Sequence, residues 1–569
     1  MLLWLFFRNF VANYKCNNMP TLNWIGKDKV VNHHLDVPFY TLEHQYGFRG
    51  DNPDDKSETH SGNMIIHGDN LVALKALMPE YEGKVDCIYI DPPYNTGNEE
   101  WVYNDNVNDP RINKWLGEIV GKQGEDLSRD DKWLCMMYPR LRLLQRLLTN
   151  EGAIFISIDF HEQPVLRLLC DEIFGSNNFI AEIACVNKPS GRSDDKYIAT
   201  AHESIVIYKK GEHLDLGGFS PEENVTKRYT KKDDEGRLYR EEDLRKRGTH
   251  DERSDRPNLF YPFFFNPQTK EYYVGNNEDP TPIGFVRILP MKSANTEGTW
   301  RWGQDTARSS ISKIHPKFMP AKSQWTMFEW QYLDERDEVK PTTCWNFKDV
   351  NSERGTELLY KFMGFDRKQF PNPKPLGTIY RIAKIATKKD SIVLDSFAGS
   401  GTTAHAIMKL NKDDGGQRRF ILIEMMNYAE SVTSKRVQKA AIGYGSEEGL
   451  GGSFDYYELG QPLFVDGNLN EEVDEEKIRQ YIYYTETRQP LHRQRKDESR
   501  YLLDTYQNTG YYFYYERDHS TELAVDTLDI VTEKASQYII YADVCRLPKE
   551  FMTEKHIIFK KIPRDIKRF

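Results

Sequence analysis

Residues 391–410 read SIVLDSFAGSGTTAHAIMKL: an apolar strand, a glycine-rich turn and a helix in direct succession. Such a turn brings backbone N–H groups and a helix N-terminus to a ligand at the strand's carboxyl end. Gly399 and Gly401 let the backbone approach that ligand closely. The spacing Gly399-x-Gly401-x-x-Ala404 also satisfies the dinucleotide fingerprint, and Glu424 ends the next strand, where such folds hold ribose hydroxyls. No Lys-Ser or Lys-Thr follows the glycines, which excludes a phosphate loop. On the turn alone, a dehydrogenase and an enzyme of another nucleoside cofactor are both open.

Around this stretch lie helix TIYRIAKIAT, helix AHAIMKL and strand RFILIE. The same alternation runs from about Met64 to Tyr208: strand MIIHG, helix LVALKALM, strand VDCIYI, helix KWLCMMYPRLRLLQRLL, strand GAIFISID, helix QPVLRLLCDEIFG and strand ESIVIYKK. Apolar runs of strand length alternating with helix-period segments predict α/β units around a buried parallel sheet. The first half is Rossmann-like without its nucleotide turn, which sits in the second half. The chain therefore reads as a core in two pieces, 19–210 and 346–460. Between them, 211–345 alternates charged runs with aromatic clusters such as RPNLFYPFFFNPQTKEYY, and predicts a β-rich inserted domain. An α/β or α+β extension, 461–569, follows, with a helix expected at EEVDEEKIRQYIYYTETR.

With 569 residues and 39% apolar content the chain is long enough for two or three domains. Aromatics make up 13%, more than core filling needs, which leaves rings for flat ligands. A net charge of −10 excludes a global basic field, so any nucleic-acid surface must be a local patch. Seven scattered cysteines without CxxC spacing predict a reducing, cytoplasmic compartment and no structural zinc. His33 and His34 lack a spaced third ligand, and no metal is expected. The opening MLLWLFFRNF is too short to span a bilayer and lacks a basic flank and a cleavage site. Because Met19 opens a more polar start, residues 1–18 are expected to be a non-native or disordered extension.

The chemistry enters at VDCIYIDPPYNTGN, 85–98. Asp91 follows directly on a strand, in the crevice where α/β proteins bind ligands. Pro92 and Pro93 fix φ at two successive residues, so Asp91 and Tyr94 are presented in a set relation. The Asp91 carboxylate and the Pro92 carbonyl form an acceptor-only pair, complementary to an exocyclic amino group. Tyr94 offers a face on which a planar base stacks. Two acceptors that draw a ring-conjugated amine toward tetrahedral geometry free its lone pair for attack on a methyl sulfonium.

DPPYNTG (91–97) together with DSFAGSGTT (395–403) resembles the S-adenosylmethionine-dependent DNA amino-methyltransferases, above all the N6-adenine group. The order, DPPY first and FAGSG last with a large insert, is similar to their permuted β class. LNWIGKDKVVNHH, RPNLFYP and FDYYELG followed by YIYYTETR extend the resemblance to the modification subunits of type III restriction systems, over much of 22–488.

The resemblance implies a circularly permuted Rossmann-like methyltransferase with 211–345 as target-recognition domain. It implies S-adenosyl-L-methionine as cofactor, held by Asp395, Phe397, Gly399, Gly401, Thr402 and Glu424. Asp69 is expected at the cofactor adenine, and Phe370, Asn372 and Lys374 of QFPNPKPLGTIYRIAK at the methionine. Asp91, Pro92, Pro93 and Tyr94 are the implied catalytic set, and His202 is expected to be structural or to line the base pocket. Double-stranded DNA, a separate restriction (helicase/nuclease) subunit and a second copy of the chain are the implied partners, and no membrane. Cytosine N4 methylation and a non-catalytic DNA-recognition role are the alternatives.

Overall fold

Among the described residues, ten strands form the main sheet. Their order is Tyr40–Arg49, Ser453–Pro462, Met64–His67, Arg419–Glu424, Ile392–Asp395, Val85–Ile90, Leu148–Ile158, Glu203–Lys209, Phe179–Cys185 and Cys344–Trp345. The structure is a computed structural model that describes residues 22–95, 127–192, 195–219, 228–293, 295–335, 338–493 and 500–564. The expected extension 1–18, and Thr96 and Gly97 of the DPPYNTG motif, lie outside the described residues.

From Ser453–Pro462 to Leu148–Ile158 every neighbouring pair is parallel, and Glu203–Lys209 then runs antiparallel. The strands bracketing the insert thus interleave. Ile392–Asp395, from the second half, pairs with Val85–Ile90 of the first on one side and with Arg419–Glu424 on the other. Val393, Leu394, Cys87 and Ile88 are all nearly inaccessible, as a two-face-buried parallel sheet requires. The chain order therefore differs from the spatial order, and the nucleotide turn absent from the first half arrives beside it.

Helices cover this sheet. Asp69 caps Asn70–Tyr81 by accepting from the N–H groups of Leu71 and Val72, which satisfies two of the helix's orphan donors. Leu127–Leu147 buries Trp133, Met137, Leu141 and Leu144 in the same core, matching the expected periodicity. Leu376–Ala386 and Thr402–Asp414 pack near the glycine-rich turn. Four strands of the sheet, Tyr40–Arg49, Ser453–Pro462, Phe179–Cys185 and Cys344–Trp345, are absent from the sequence reading; partial burial or short length leaves each a weaker apolar signal.

The C-terminal segment forms a four-stranded sheet of Leu502–Tyr506, Thr509–Phe513, Gln537–Ala542 and Ile557–Lys561, one pair antiparallel and two parallel. Its leading helix, Glu475–Thr487, rests on the core, where Tyr484 donates to Glu82 and receives Arg146 at 3.0 Å.

The chain divides into two compact units, Met1–Gly217 with Thr342–Phe569, and Gly218–Pro341. The second is β-rich: Gln324–Tyr332 is flanked by Ile314–Met319 and Leu238–Asp243, and Phe263–Phe265 by Tyr272–Val274 and Val286–Ile288. Trp300 is fully buried in its core and donates to the Tyr261 carbonyl at 2.8 Å, while Arg301 is spent on the Asp243 carbonyl and Glu329. Both side chains are held inside the unit. Arg256 is exposed. No described helix is long and apolar enough to cross a membrane.

Candidate active site

Parallel strands deliver their carboxyl ends to one edge, and the sheet order decides what meets there. Asp91 follows Val85–Ile90, the glycine-rich turn follows Ile392–Asp395, and Asp69 lies just past Met64–His67. Glu203 opens the antiparallel strand Glu203–Lys209, so it lies at the same edge.

The DPPY turn is held from three sides. Trp133 Nε1 donates to the Pro93 carbonyl at 2.7 Å. Asn95, buried and in a left-handed conformation (φ 54°), donates through Nδ2 to Glu162 and to Asp130. The Tyr94 hydroxyl donates to Glu203 Oε2 at 3.0 Å. No hydrogen bond to the Pro92 carbonyl is found among the described residues.

Lys374 departs from its expected place. Its ammonium sits 3.2 Å from Asp91 Oδ1 and 2.7 Å from Glu203 Oε2, donates to the Tyr94 hydroxyl, and lies 4.9 Å from the centre of the Tyr94 ring. Only its backbone carbonyl faces the glycine-rich turn, receiving Thr402 Oγ1 at 3.5 Å. The residue thus joins the DPPY cluster rather than lying wholly on the cofactor side. Burial lowers the affinity of its ammonium for the proton, but the carboxylates of Asp91 and Glu203 outweigh that and raise its pKa. Burial also pushes the Asp91 carboxyl up, with Lys374 opposing and Glu203 adding to the rise.

The glycine-rich turn is braced by acids on both flanks. Asp395 accepts from the Phe397 N–H at 3.0 Å and from Thr403 Oγ1 at 2.5 Å. Glu424, 1% exposed, accepts from the N–H groups of Gly399 (2.8 Å) and Met426 (3.0 Å). Burial raises both acids, Asp395 and Glu424 each to about 7. Gly399 and Gly401 have φ of 53° and 80°, where side chains are disfavoured. A Cβ at Gly401 would stand 3.0 Å from the Thr433 carbonyl oxygen. Phe397 is buried in the main core, and Thr402 is 5% exposed.

Of the remaining expected residues, Phe370 lies over the turn, its ring 3.1 Å from where a Gly399 Cβ would be, with Tyr428 edge-on at 5.3 Å. Asn372 is exposed and left-handed (φ 52°), a turn residue. The Asp69 carboxylate caps its helix and faces Arg140 at 3.4 Å. His202 points to solvent, while its neighbour Glu203, on the opposite strand face, is 4% exposed. Sequence reasoning noted Glu203 only as a strand marker and missed Trp133 and Glu162; these lie far from the motifs, and only the sheet order brings them in. The groups here are hydroxyls and backbone N–H groups, which donate, and carboxylates, which accept, around a stacking ring. They fit a nucleoside with an amino-acid tail on one side and an exocyclic amine on the other.

Residues 85–435 match the model of the family described as DNA methylase. The chain is 33% identical over 446 residues to the type III restriction-modification enzyme EcoPI Mod subunit of Escherichia phage P1, covering 75% of this chain and 66% of that one. It is 35% identical over 364 residues to the type II methyltransferase M.KpnI of Klebsiella pneumoniae (64% and 81%). The StyLTI Mod subunit of Salmonella typhimurium is 32% identical over 394 residues, and the chain spans 52% of its length. The matched range includes both motifs, and the chain belongs to the DNA methylase family.

Proposed function

We propose that the chain transfers a methyl group from S-adenosyl-L-methionine to the N6 amino group of adenine in double-stranded DNA. The observation that carries this reading is the pairing of Val85–Ile90 with Ile392–Asp395, which puts the Asp91 acceptor and the glycine-rich turn at adjacent strand ends.

The cofactor supplies an electrophilic methyl on a sulfonium. Asp91 and the Pro92 carbonyl accept the two amino hydrogens of a base rotated out of the duplex, and Tyr94 stacks on it. A base amine held by Asp91 and the Pro92 carbonyl would direct its lone pair at that methyl group, and the proton lost on methylation would leave to solvent. Glu203 and Lys374 hold the Tyr94 hydroxyl, so the ring keeps its attitude when the base arrives. Gly399, Gly401, Phe370 and Glu424 place the cofactor, and proximity and orientation supply most of the acceleration.

The unit Gly218–Pro341 is inferred to be the target-recognition domain, since it is a separate compact unit inserted between the two parts of the core. Likeness to restriction-modification subunits named Mod supports a separate restriction chain as partner; a homodimer and work in the cytoplasm belong to the same proposal. Modification-sensitive sequencing of DNA from cells expressing the chain tests the reading: N6-methyladenine at one motif supports it, and N4-methylcytosine moves it to the cytosine alternative.

A further inference from the structure

Arg436, on the helix Lys435–Ile442, is 0% exposed and pairs with no carboxylate among the described residues. Its Nη1 donates at 2.7 Å to Ser400 Oγ and at 2.7 Å to Thr402 Oγ1, both in the glycine-rich turn. Its Nε and Nη2 reach no hydrogen-bond acceptor among the described residues. The ionisable groups beside it are Tyr444 and His405, and burial with the nearby guanidinium keeps His405 neutral. Burial lowers Arg436 itself to about 10, which leaves it charged at neutral pH. A buried, unneutralised charge is strongly unfavourable unless something balances it.

Two features of the turn point to what does. The helix Thr402–Asp414 begins at Gly401, which offers no side-chain cap, so its first N–H groups lack intrahelical acceptors. Each hydroxyl has one proton and two lone pairs, and Arg436 occupies a lone pair on each of two neighbouring hydroxyls. We propose that Arg436 is a positioning residue for the amino-acid end of the cofactor: with the Thr402 hydroxyl directed to the Lys374 carbonyl, its donation to Ser400 turns that hydroxyl's proton to the cofactor carboxylate, whose charge balances its own. This rests on the reading that the turn holds S-adenosylmethionine.

The test is calorimetric binding on the full chain of S-adenosyl-L-homocysteine, its decarboxylated counterpart and 5′-methylthioadenosine, which lacks the amino-acid end. Arg436→Met is expected to weaken S-adenosylhomocysteine at least about tenfold while leaving both carboxylate-free ligands within about twofold of wild type. Ser400→Ala, which keeps the guanidinium and removes the relaying hydroxyl, is expected to show the same selectivity at smaller size, and decides alone if Arg436→Met does not fold. Equal loss for all three ligands means that Arg436 merely braces the turn, and unchanged S-adenosylhomocysteine binding means that it plays no part; either overturns the proposal. Wild type that binds none of the three removes the cofactor reading itself.

Discussion

Lys374 places its ammonium 3.2 Å from the Asp91 carboxylate, linking the segment before the glycine-rich strand to the DPPY turn. Its attraction opposes the rise in Asp91's pKa that burial and Glu203 produce. In Lys374→Gln that attraction is gone and the like charge of Glu203 stays, so Asp91 holds its proton to higher pH. The reaction uses ionised Asp91 as an acceptor, so the acid limb of the single-turnover rate should move up by about one pH unit. A limb that stays put while the KM for cofactor rises would assign Lys374 to cofactor binding alone.

Glu424 predicts a second pH dependence, of opposite sense to a salt-bridged acid. Its carboxyl is raised to about 7 in the folded chain by burial. In the cofactor-free protein the stability linked to its protonation is full below the unfolded carboxyl value and is lost as pH rises through about 7. Ribose hydroxyls donate to the ionised form, so cofactor affinity should rise through the same window with release of a proton. Calorimetry at neutral pH in two buffers of different ionisation enthalpy measures that release. Glu424→Gln should abolish it, and Asp395→Asn, whose acid braces Thr403 and the Phe397 N–H, should keep it.

Trp133 supplies a test of the turn's rigidity. Its indole N–H donates to the Pro93 carbonyl at 2.7 Å from a fully buried ring. Trp133→Phe keeps an aromatic ring in the core and removes the donor, at a cost of about 1 to 3 kcal/mol from the unsatisfied carbonyl and the lost volume. The turnover number should fall with the cofactor KM unchanged, because the loss falls on the DPPY side. Urea unfolding and steady-state kinetics on the same samples separate the two effects.

The parts of this site that were legible in the sequence are those in which backbone conformation is written into residue type. Pro92 and Pro93 announce a fixed turn, and Gly399 and Gly401 announce positive φ; the structure has the latter at 53° and 80°. The strands and helices with strong apolar periodicity, from Met64–His67 to Arg419–Glu424, were readable for the same reason. The direction of a long side chain is not so written. Lys374 follows a proline-rich segment expected at the cofactor, yet four flexible carbons carry its charge to Asp91 and Glu203. Glu203 has no motif of its own and acquires meaning only because Glu203–Lys209 runs antiparallel beside Leu148–Ile158. In the inserted unit, residue type likewise leaves open whether a ring or a charge is free: Trp300 is buried beside Tyr261 and Arg301 pairs with Glu329.

The central claim is that Asp91 holds an adenine amino group for methylation. The most direct measurement is nucleoside mass spectrometry of duplex DNA incubated with the purified chain and trideuteromethyl S-adenosylmethionine, beside an Asp91→Ala control. Deuterated N6-methyladenine from wild type, reduced by at least about a thousandfold in the control, is the predicted result. Labelled N4-methylcytosine, or N6-methyladenine formed equally well by Asp91→Ala, would contradict it.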